Sequence, residues 1–448
     1  MTDRISVIGL DTLGLGLALS FARAGLRTVG VDDRPDHIAD LRRGVSPVVE
    51  PGYQDALTAS GSRFLATMSV EEALRETDVT FLMTGTPSDT GNGFPSREVE
   101  AAAREAGRAL RQSRKASHLF VISSTQTPGT TERRIIPAIE EASGRLLNRG
   151  FSVCYAPASA AVGSVLQGLA NPELVMIGES APGAGQRVAA LYARIIASRP
   201  AISRMSIVSA EMARVSLNAF LTLKAAFANT VANLCEAIPG ADVDQITRAI
   251  WADRRVSPDD LVGGTPSAGA CSPYDTHAFR LVCEHLGEDS ALMSAVAMSH
   301  EWQHARLAGL TLALAPAGGR IAILGMAVAP GTPAIRDSAG SRLARALAEA
   351  GRDVITFDRL TPSGEQQALA GSIRVAATAA DALAGAAVVV LALADPEYLR
   401  AAASWRPSEP ATLVDCRRAL DGATLDGLVT RIALGRATRG LDDHALAA

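Results

Sequence analysis

Lysine is nearly absent from this chain. Of its 43 basic residues only Lys115 and Lys224 are lysines, and the other 41 are arginines. A reaction scheme that needs a lysine as general acid or base therefore has two candidates. An excess of charge is missing as well: 43 basic residues against 47 acidic ones leave a net charge of −4. That excludes a strongly basic chain built to neutralise nucleic-acid phosphates. Without a run of like charge there is no acidic disordered tail. No apolar stretch reaches the roughly 18 residues that a membrane helix needs without charges or breakers. The opening segment, MTDRISVIGL, carries an early acid and runs into a strand pattern, unlike a signal peptide. The five cysteines (Cys154, Cys235, Cys271, Cys283, Cys416) are scattered and form no CxxC, which predicts a reducing, cytoplasmic setting and no structural zinc. The histidines show no metal-ligand spacing; His300 and His304 lie four apart on a predicted helix without a third ligand, so no metal is expected.

What is present is ordinary for a soluble protein with buried cores: 48% apolar and 20% charged residues. A length of 448 residues predicts two or three domains. Residues 4–9 (RISVIG) read as a strand, Gly14–Ala24 as a helix stopped by Gly25, and 27–32 (RTVGVD) as a second strand ending in acids. Such a strand–helix–strand unit opens a doubly wound sheet. Strands are predicted at 78–84, 118–124, 151–155 and 174–178, with a helix at 97–112. From about 206 the period changes. Residues 208–238 read as one long helix without internal Gly or Pro, 256–275 as a Gly/Pro/Ser/Asp-rich loop, and 288–312 as a further helix. The first theme then returns: strands at 320–325, 353–358, 387–393 and 411–415, and a helix at 338–350. The expected fold class is α/β, with two Rossmann-like doubly wound domains (1–200 and 313–448) joined by a helical middle domain (201–312) and its long central helix. A ligand crevice is expected between the two sheets, at the carboxyl ends of their strands. The four cysteines other than Cys271 sit in apolar runs and are expected in the core.

Seven segments, in this order, resemble the UDP-glucose/GDP-mannose dehydrogenase family over nearly the whole chain. They are VVEPG at 48–52, TGTP at 84–87, SSTQTPGTTE at 123–132, YAPASAAVGSVLQGLANPELVMIG at 155–178, AEMARVSLNAFLTLKAAFANTVANLCE at 210–236, GACSPYDT at 269–276 and LGMAVAPGTPAIRDS at 324–338. The resemblance implies an NAD-dependent, two-step oxidation of a nucleotide-sugar hydroxyl to a carboxylate. In the family a cysteine takes the intermediate aldehyde as a thiohemiacetal, a second hydride leaves to give a thioester, and water cleaves it. A thiolate suits this because it is both a good nucleophile and a good leaving group.

Carried over position by position, the resemblance makes Cys271 the nucleophile, Asp275 the acid/base carboxylate, Asn218 an oxyanion donor and Thr125 a polar helper. The family's catalytic lysine position, one turn before Asn218, holds Arg214, which can stabilise an oxyanion but cannot accept a proton. Where the family has P-E-F-L-R-E-G, this chain has Pro157, Ala158, Ser159, Ala160, Ala161, Val162 and Gly163, without either acid or the arginine. In the last domain Ala329 replaces a family lysine and Pro333–Ala334 an acidic pair. The cofactor fingerprint G-x-G-x-x-G reads Gly9, Leu10, Asp11, Thr12, Leu13, Gly14, so an acid stands where backbone should approach a pyrophosphate. Asp11 reads equally as a cap for the helix that follows. Asp32 is placed to accept from a ribose hydroxyl, and Thr86 falls in the family's V-x-T-P turn. NAD is the implied cofactor, through a weakened fingerprint that leaves its absence open. Substrate contacts are expected from Arg255 (across a dimer), Lys224, Arg336 and Arg417; Arg336 and Arg417 read alternatively as partners of Asp337 and Asp415. Lys115 is expected at the surface. A homodimer through the central helix is expected, with neither nucleic acid nor membrane as a partner.

Three readings follow. The first is a divergent nucleotide-sugar dehydrogenase working through Cys271. The second is a family member with altered chemistry, either a single oxidation or a non-oxidative reaction. The third is a catalytically inactive nucleotide-binding homologue.

Overall fold

The computed structural model describes residues 4–84, 96–253, 256, 263–264 and 272–437, with side chains from 276 onward in the last range. They gather into two compact units, one built on the chain up to Leu217 with His277–Glu288, the other on Asn218–Thr276 and Asp289 onward.

The first unit carries strands β1 (Ile5–Ile8), β2 (Thr28–Val31), β3 (Phe64–Thr67), β4 (Val79–Leu82), β5 (Leu119–Ile122), β6 (Leu146–Leu147), β7 (Gly150–Tyr155), β8 (Leu174–Glu179) and β9 (Ala201–Met205). Their order is β3-β2-β1-β4-β5-β7-β8-β9, with β6 beside β7. All pairings on that path are parallel except β7–β8. The order reverses between β1 and β4, the switch point at which open α/β sheets bind ligands. Helix α1 (Thr12–Arg23) follows β1, and α2 (Arg97–Gln112) precedes β5. Alternation explains the two-faced burial. Ile5, Val7, Phe81 and Val121 enter one core, while Ile8, Val29, Leu82 and Phe120 enter the other.

Helix α3 (Ile207–Ala237) is a single 31-residue helix, about 46 Å long by its rise. Lacking internal Gly or Pro, it runs unbroken as its sequence predicts. Phe220, Phe227 and Leu234 recur on it every seven residues and stay 55%, 51% and 57% exposed. Helix α4 (Ser272–Leu286) begins within the stretch expected to be a loop, and α5 (Ala291–Leu314) matches the later prediction.

The second unit's sheet has β10 (Arg320–Leu324), β11 (Val354–Phe357), β12 (Arg374–Val375), β13 (Ala386–Leu391), β14 (Ala411–Asp415) and β15 (Val429–Ala433), in the order β12-β11-β10-β13-β14-β15 and parallel throughout. Helix α6 (Ala339–Glu349) connects β10 to β11. The same doubly wound plan thus occurs twice, as expected. Several strands escaped the sequence reading because they are short (β6, β12) or show mixed exposure (β3, β9, β15).

Two expectations need correction. Cys154, Cys235 and Cys416 are buried, but Cys283 on α4 is half-buried. Lys115 is not at the surface: only 17% of its side chain is exposed, and its ammonium donates to the Thr77 carbonyl and lies 3.8 Å from Asp78. No helix among the described residues is long and apolar enough to cross a membrane.

Candidate active site

The turn from β1 into α1 is built by two glycines. Gly9 has φ +94°, a left-handed value that favours glycine, and a β-carbon there would lie 2.6 Å from the Met83 carbonyl oxygen. A β-carbon at Gly14 would lie 1.9 Å from the Gly9 carbonyl oxygen. The outer glycines of the fingerprint thus do their usual work of turning the chain and seating the helix against the strand. Between them Asp11 is the N-cap of α1, its Oδ1 accepting from the Gly14 N–H at 3.2 Å. Burial pushes the Asp11 carboxyl above its usual range, against the opposing pull of that hydrogen bond and of Arg34.

Asp32 is buried at the carboxyl end of β2. Its Oδ2 accepts from the Leu10 N–H at 2.9 Å, and its Oδ1 from the Arg34 N–H at 3.0 Å. The Arg34 guanidinium forks onto both oxygens, Nε to Oδ1 and Nη2 to Oδ2, each at 2.7 Å. Burial alone would raise this carboxyl. The Arg34 side chain outweighs it, helped by the two backbone donors, and holds Asp32 below the usual carboxylate range. Arg34 was not foreseen, although an arginine two residues after a strand-end acid is a readable signal.

A dinucleotide fits this turn: Gly9 and Gly14 let β1 bend sharply into α1, whose N-terminus suits a pyrophosphate, and Asp32 stands where a ribose acceptor is needed. Asp11 is the dissonant group, since like charges at about 4 Å repel by roughly 1 kcal/mol in water and more where water is excluded. Thr86 lies outside the described residues. Thr125 directly follows Ser124 at the carboxyl end of β5; it is half-buried and makes no side-chain hydrogen bond among the described residues.

Two further acids organise this unit. Glu50, in the VVEPG segment, is buried and accepts through Oε1 from Gly163 N (2.8 Å) and Val165 N (3.1 Å). It therefore pins the end of the 157–163 stretch. Its carboxyl is raised by burial, partly offset by those two bonds. Glu211 on α3 is fully buried and accepts from Gly129 N (2.6 Å) and Thr131 N (2.9 Å), tying the loop after Thr125 to the helix. Their segments were recognised by resemblance, but backbone capping by a distant carboxylate leaves no local pattern to read.

Arg214 and Asn218 are four residues apart on α3, one turn along one face. Arg214 is half-buried, and its buried Nε has no hydrogen-bond partner among the described residues. Asn218 is half-buried and already engaged; Lys224 is buried and engaged too. Cys271 and Arg255 lie outside the described residues, and of Asp275 only the backbone, at the start of α4, is described.

In the second unit Arg336 is exposed and engaged, whereas Arg417 is exposed just after β14. The alternative partnership of Arg417 with Asp415 is not formed: Asp415 pairs with Arg431 at 2.7 Å. Neighbouring Arg418 is instead buried, forking onto Asp244 at 2.7 and 2.9 Å. His300 and His304 bring their Nε2 atoms to 3.3 Å. Among the described residues no group of three or more His, Cys, Asp or Glu is placed to hold a metal ion.

Comparison with known proteins bears on all three segments of the chain. Models of the UDP-glucose/GDP-mannose dehydrogenase family match its NAD-binding domain at residues 3–196, its central domain at 208–301 and its UDP-binding domain at 322–422. The chain is 31% identical to a UDP-glucose 6-dehydrogenase of Haloferax volcanii, over 92% of this chain and 96% of that protein. It is 28% identical to a GDP-mannose 6-dehydrogenase of Pseudomonas syringae, over 79% and 80%. Among solved structures, a UDP-glucose dehydrogenase from Pyrobaculum islandicum superposes with a TM-score of 0.86 at 30% identity, covering 98% of each chain. With the fingerprint turn in place and all three family segments matched in order, the chain belongs to the UDP-glucose/GDP-mannose dehydrogenase family, with NAD as its cofactor.

Proposed function

We propose that the protein oxidises a sugar hydroxyl of a nucleoside-diphosphate sugar to a carboxylate, with Cys271 as the covalent nucleophile. The observation that carries this reading is Arg214, a half-buried guanidinium whose Nε has no partner among the described residues, one helical turn from Asn218. A permanently charged donor in that setting suits an oxyanion, which forms whenever a thiolate adds to an aldehyde or water adds to a thioester. NAD, when bound, supplies the hydride acceptor. The turn that Gly9 and Gly14 shape, with Asp32, holds it at the start of α1; Thr125, without a side-chain hydrogen bond among the described residues, orients a reacting hydroxyl or water. Cys271 holds the aldehyde as a thiohemiacetal and then as a thioester, and Asp275 positions the hydrolytic water. Arg214 cannot take a proton, so proton removal falls to Asp275 and to water. Arg336 and Arg417 bind the diphosphate, with Lys224 and Arg255 completing the sugar contacts.

Relatives named for UDP-glucose and GDP-mannose set the substrate class. The Ala- and Ser-lined stretch 157–163 supports a sugar other than the usual UDP-hexose. It also favours a second reading, a single oxidation or a non-oxidative reaction, because the acids for the first step are gone. Incubation with NAD and a panel of nucleotide sugars tests both. Two NADH per uronic acid, lost in Cys271→Ala, are expected; aldehyde or unoxidised product supports the second reading, and no NADH with any sugar overturns the first. The exposed Phe220, Phe227 and Leu234 support a homodimer through α3, and the scattered cysteines without CxxC support a reducing, cytoplasmic setting. Sedimentation should show a dimer that Phe227→Glu dissociates, and a wild-type monomer refutes it.

A further inference from the structure

We infer that Arg34 is a specificity-determining residue that loosens discrimination between NAD and its 2′-phosphorylated form; the inference rests on the dinucleotide reading of the β1–α1 turn. An ionised carboxylate offers about four lone-pair sites. All those of Asp32 are filled: by Leu10 N–H and Arg34 Nη2 on Oδ2, and by Arg34 N–H and Nε on Oδ1. A ribose hydroxyl that donates to Asp32 must therefore displace a donor. Two of the four are backbone groups, Leu10 in the β1–α1 turn and Arg34 just after β2. The guanidinium is the one that can move, since the Arg34 side chain is 46% exposed whereas that of Asp32 is 4% exposed.

The displacement has two consequences. It sets a competitor against the ribose hydroxyl, so NAD gains less from Asp32 than from an unpaired acid. It also leaves a guanidinium beside the ribose edge, where a planar fork suits a phosphate. A strand-end acid selects the free 2′-hydroxyl, and a nearby arginine accommodates a 2′-phosphate. This chain carries both, two residues apart and joined by a fork. The other charges facing Arg34 are Asp11 and Asp33, so the cluster is net negative and the unphosphorylated cofactor keeps the advantage.

Binding of ADP-ribose and of 2′-phospho-ADP-ribose to the full-length protein, followed calorimetrically, isolates this effect from turnover. Wild type should bind ADP-ribose more tightly, with the 2′-phosphorylated ligand within about a hundredfold. Arg34→Asn should weaken the phosphorylated ligand by about tenfold or more, roughly 1.4 kcal/mol, while ADP-ribose binds as well or better. Arg34→Lys, which keeps the charge without the fork, should fall between. If ADP-ribose binds wild type but Arg34→Asn shifts both ligands equally or neither, Arg34 is a structural clamp and the inference fails alone. If wild type binds neither ligand, the dinucleotide reading fails with it.

Discussion

The two sheets solve the same construction problem with differently committed acids. In the first, β1 passes through Gly9 (φ +94°) into α1, and Gly14 packs against the Gly9 carbonyl. In the second, β10 passes through Gly325 (φ +96°), and a β-carbon at Gly340 in α6 would lie 2.1 Å from the Gly325 carbonyl oxygen. Each second strand ends in a buried acid that reaches back to the turn. Asp358 accepts from Met326 N and Ala327 N on Oδ2 (2.8 and 3.0 Å), and from Leu360 N and Thr361 N on Oδ1 (both 3.1 Å). All four donors are backbone, so Asp358 is a fixed part of its unit. Asp32 gives half its capacity to a half-exposed guanidinium, which a ligand can displace. The arginine after the second acid, Arg359, turns instead to Asp395 and Glu397. On the proposed reading, an exchangeable partner is what lets Asp32, and not Asp358, receive a ligand.

The largest effect is expected from overfilling both turns. Gly14→Ala and Gly340→Ala should each cost about 3 kcal/mol or more, because the contacted atom is backbone and cannot yield; urea unfolding measures this. A mild effect at one position alone would show that the turns are not equivalent. A second test removes the acids. Asp358→Asn should lose about 2 kcal/mol, since an amide offers one acceptor oxygen where two are in use. Asp32→Asn should lose about 1 kcal/mol but weaken ADP-ribose binding in calorimetry. Equal stability losses would show that Asp32 and Asp358 are held alike.

The smallest effect is expected at Asp11. Its carboxyl is raised by burial, so its protonated form is favoured on folding, and that stability is present below about pH 4 and lost as pH rises through the raised value. Asp32 has the opposite sign. Its lowered carboxyl stabilises the fold above about pH 4, and the benefit is lost as pH falls through the depressed value. Asp11→Asn keeps the cap and should gain about 0.5 kcal/mol at neutral pH, a gain that disappears in unfolding curves near pH 3. A constant difference across that range would show that burial of the charge is not the cause.

Much of the fold was legible in the sequence because short apolar runs alternate with helical periods. The predicted strand at 118–124 is β5, the predicted helix at 97–112 is α2, and an uninterrupted 208–238 is α3. Strands with mixed exposure, such as β3 and β15, carry no period-two signal and were missed. At the site, Gly9, Gly14, Asp11 and Asp32 were readable because a turn fixes their spacing. Glu50 and Glu211 were not, since each caps backbone about 80 or more residues away.

The doubly repeated sheet plan, the long helix and the scarcity of lysine could all be read from the residues alone. These follow from local periodicity and residue chemistry, which need no partner to be read. Only the tertiary structure decided that Arg34 forks onto Asp32 while Arg359 leaves Asp358 alone. The same holds for Glu50 capping the backbone at Gly163 and Val165, and for Arg417 being exposed while Arg418 is buried. Adjacent residues of one chemical type differ in fate because burial and hydrogen-bond geometry are set by what the rest of the chain brings alongside them.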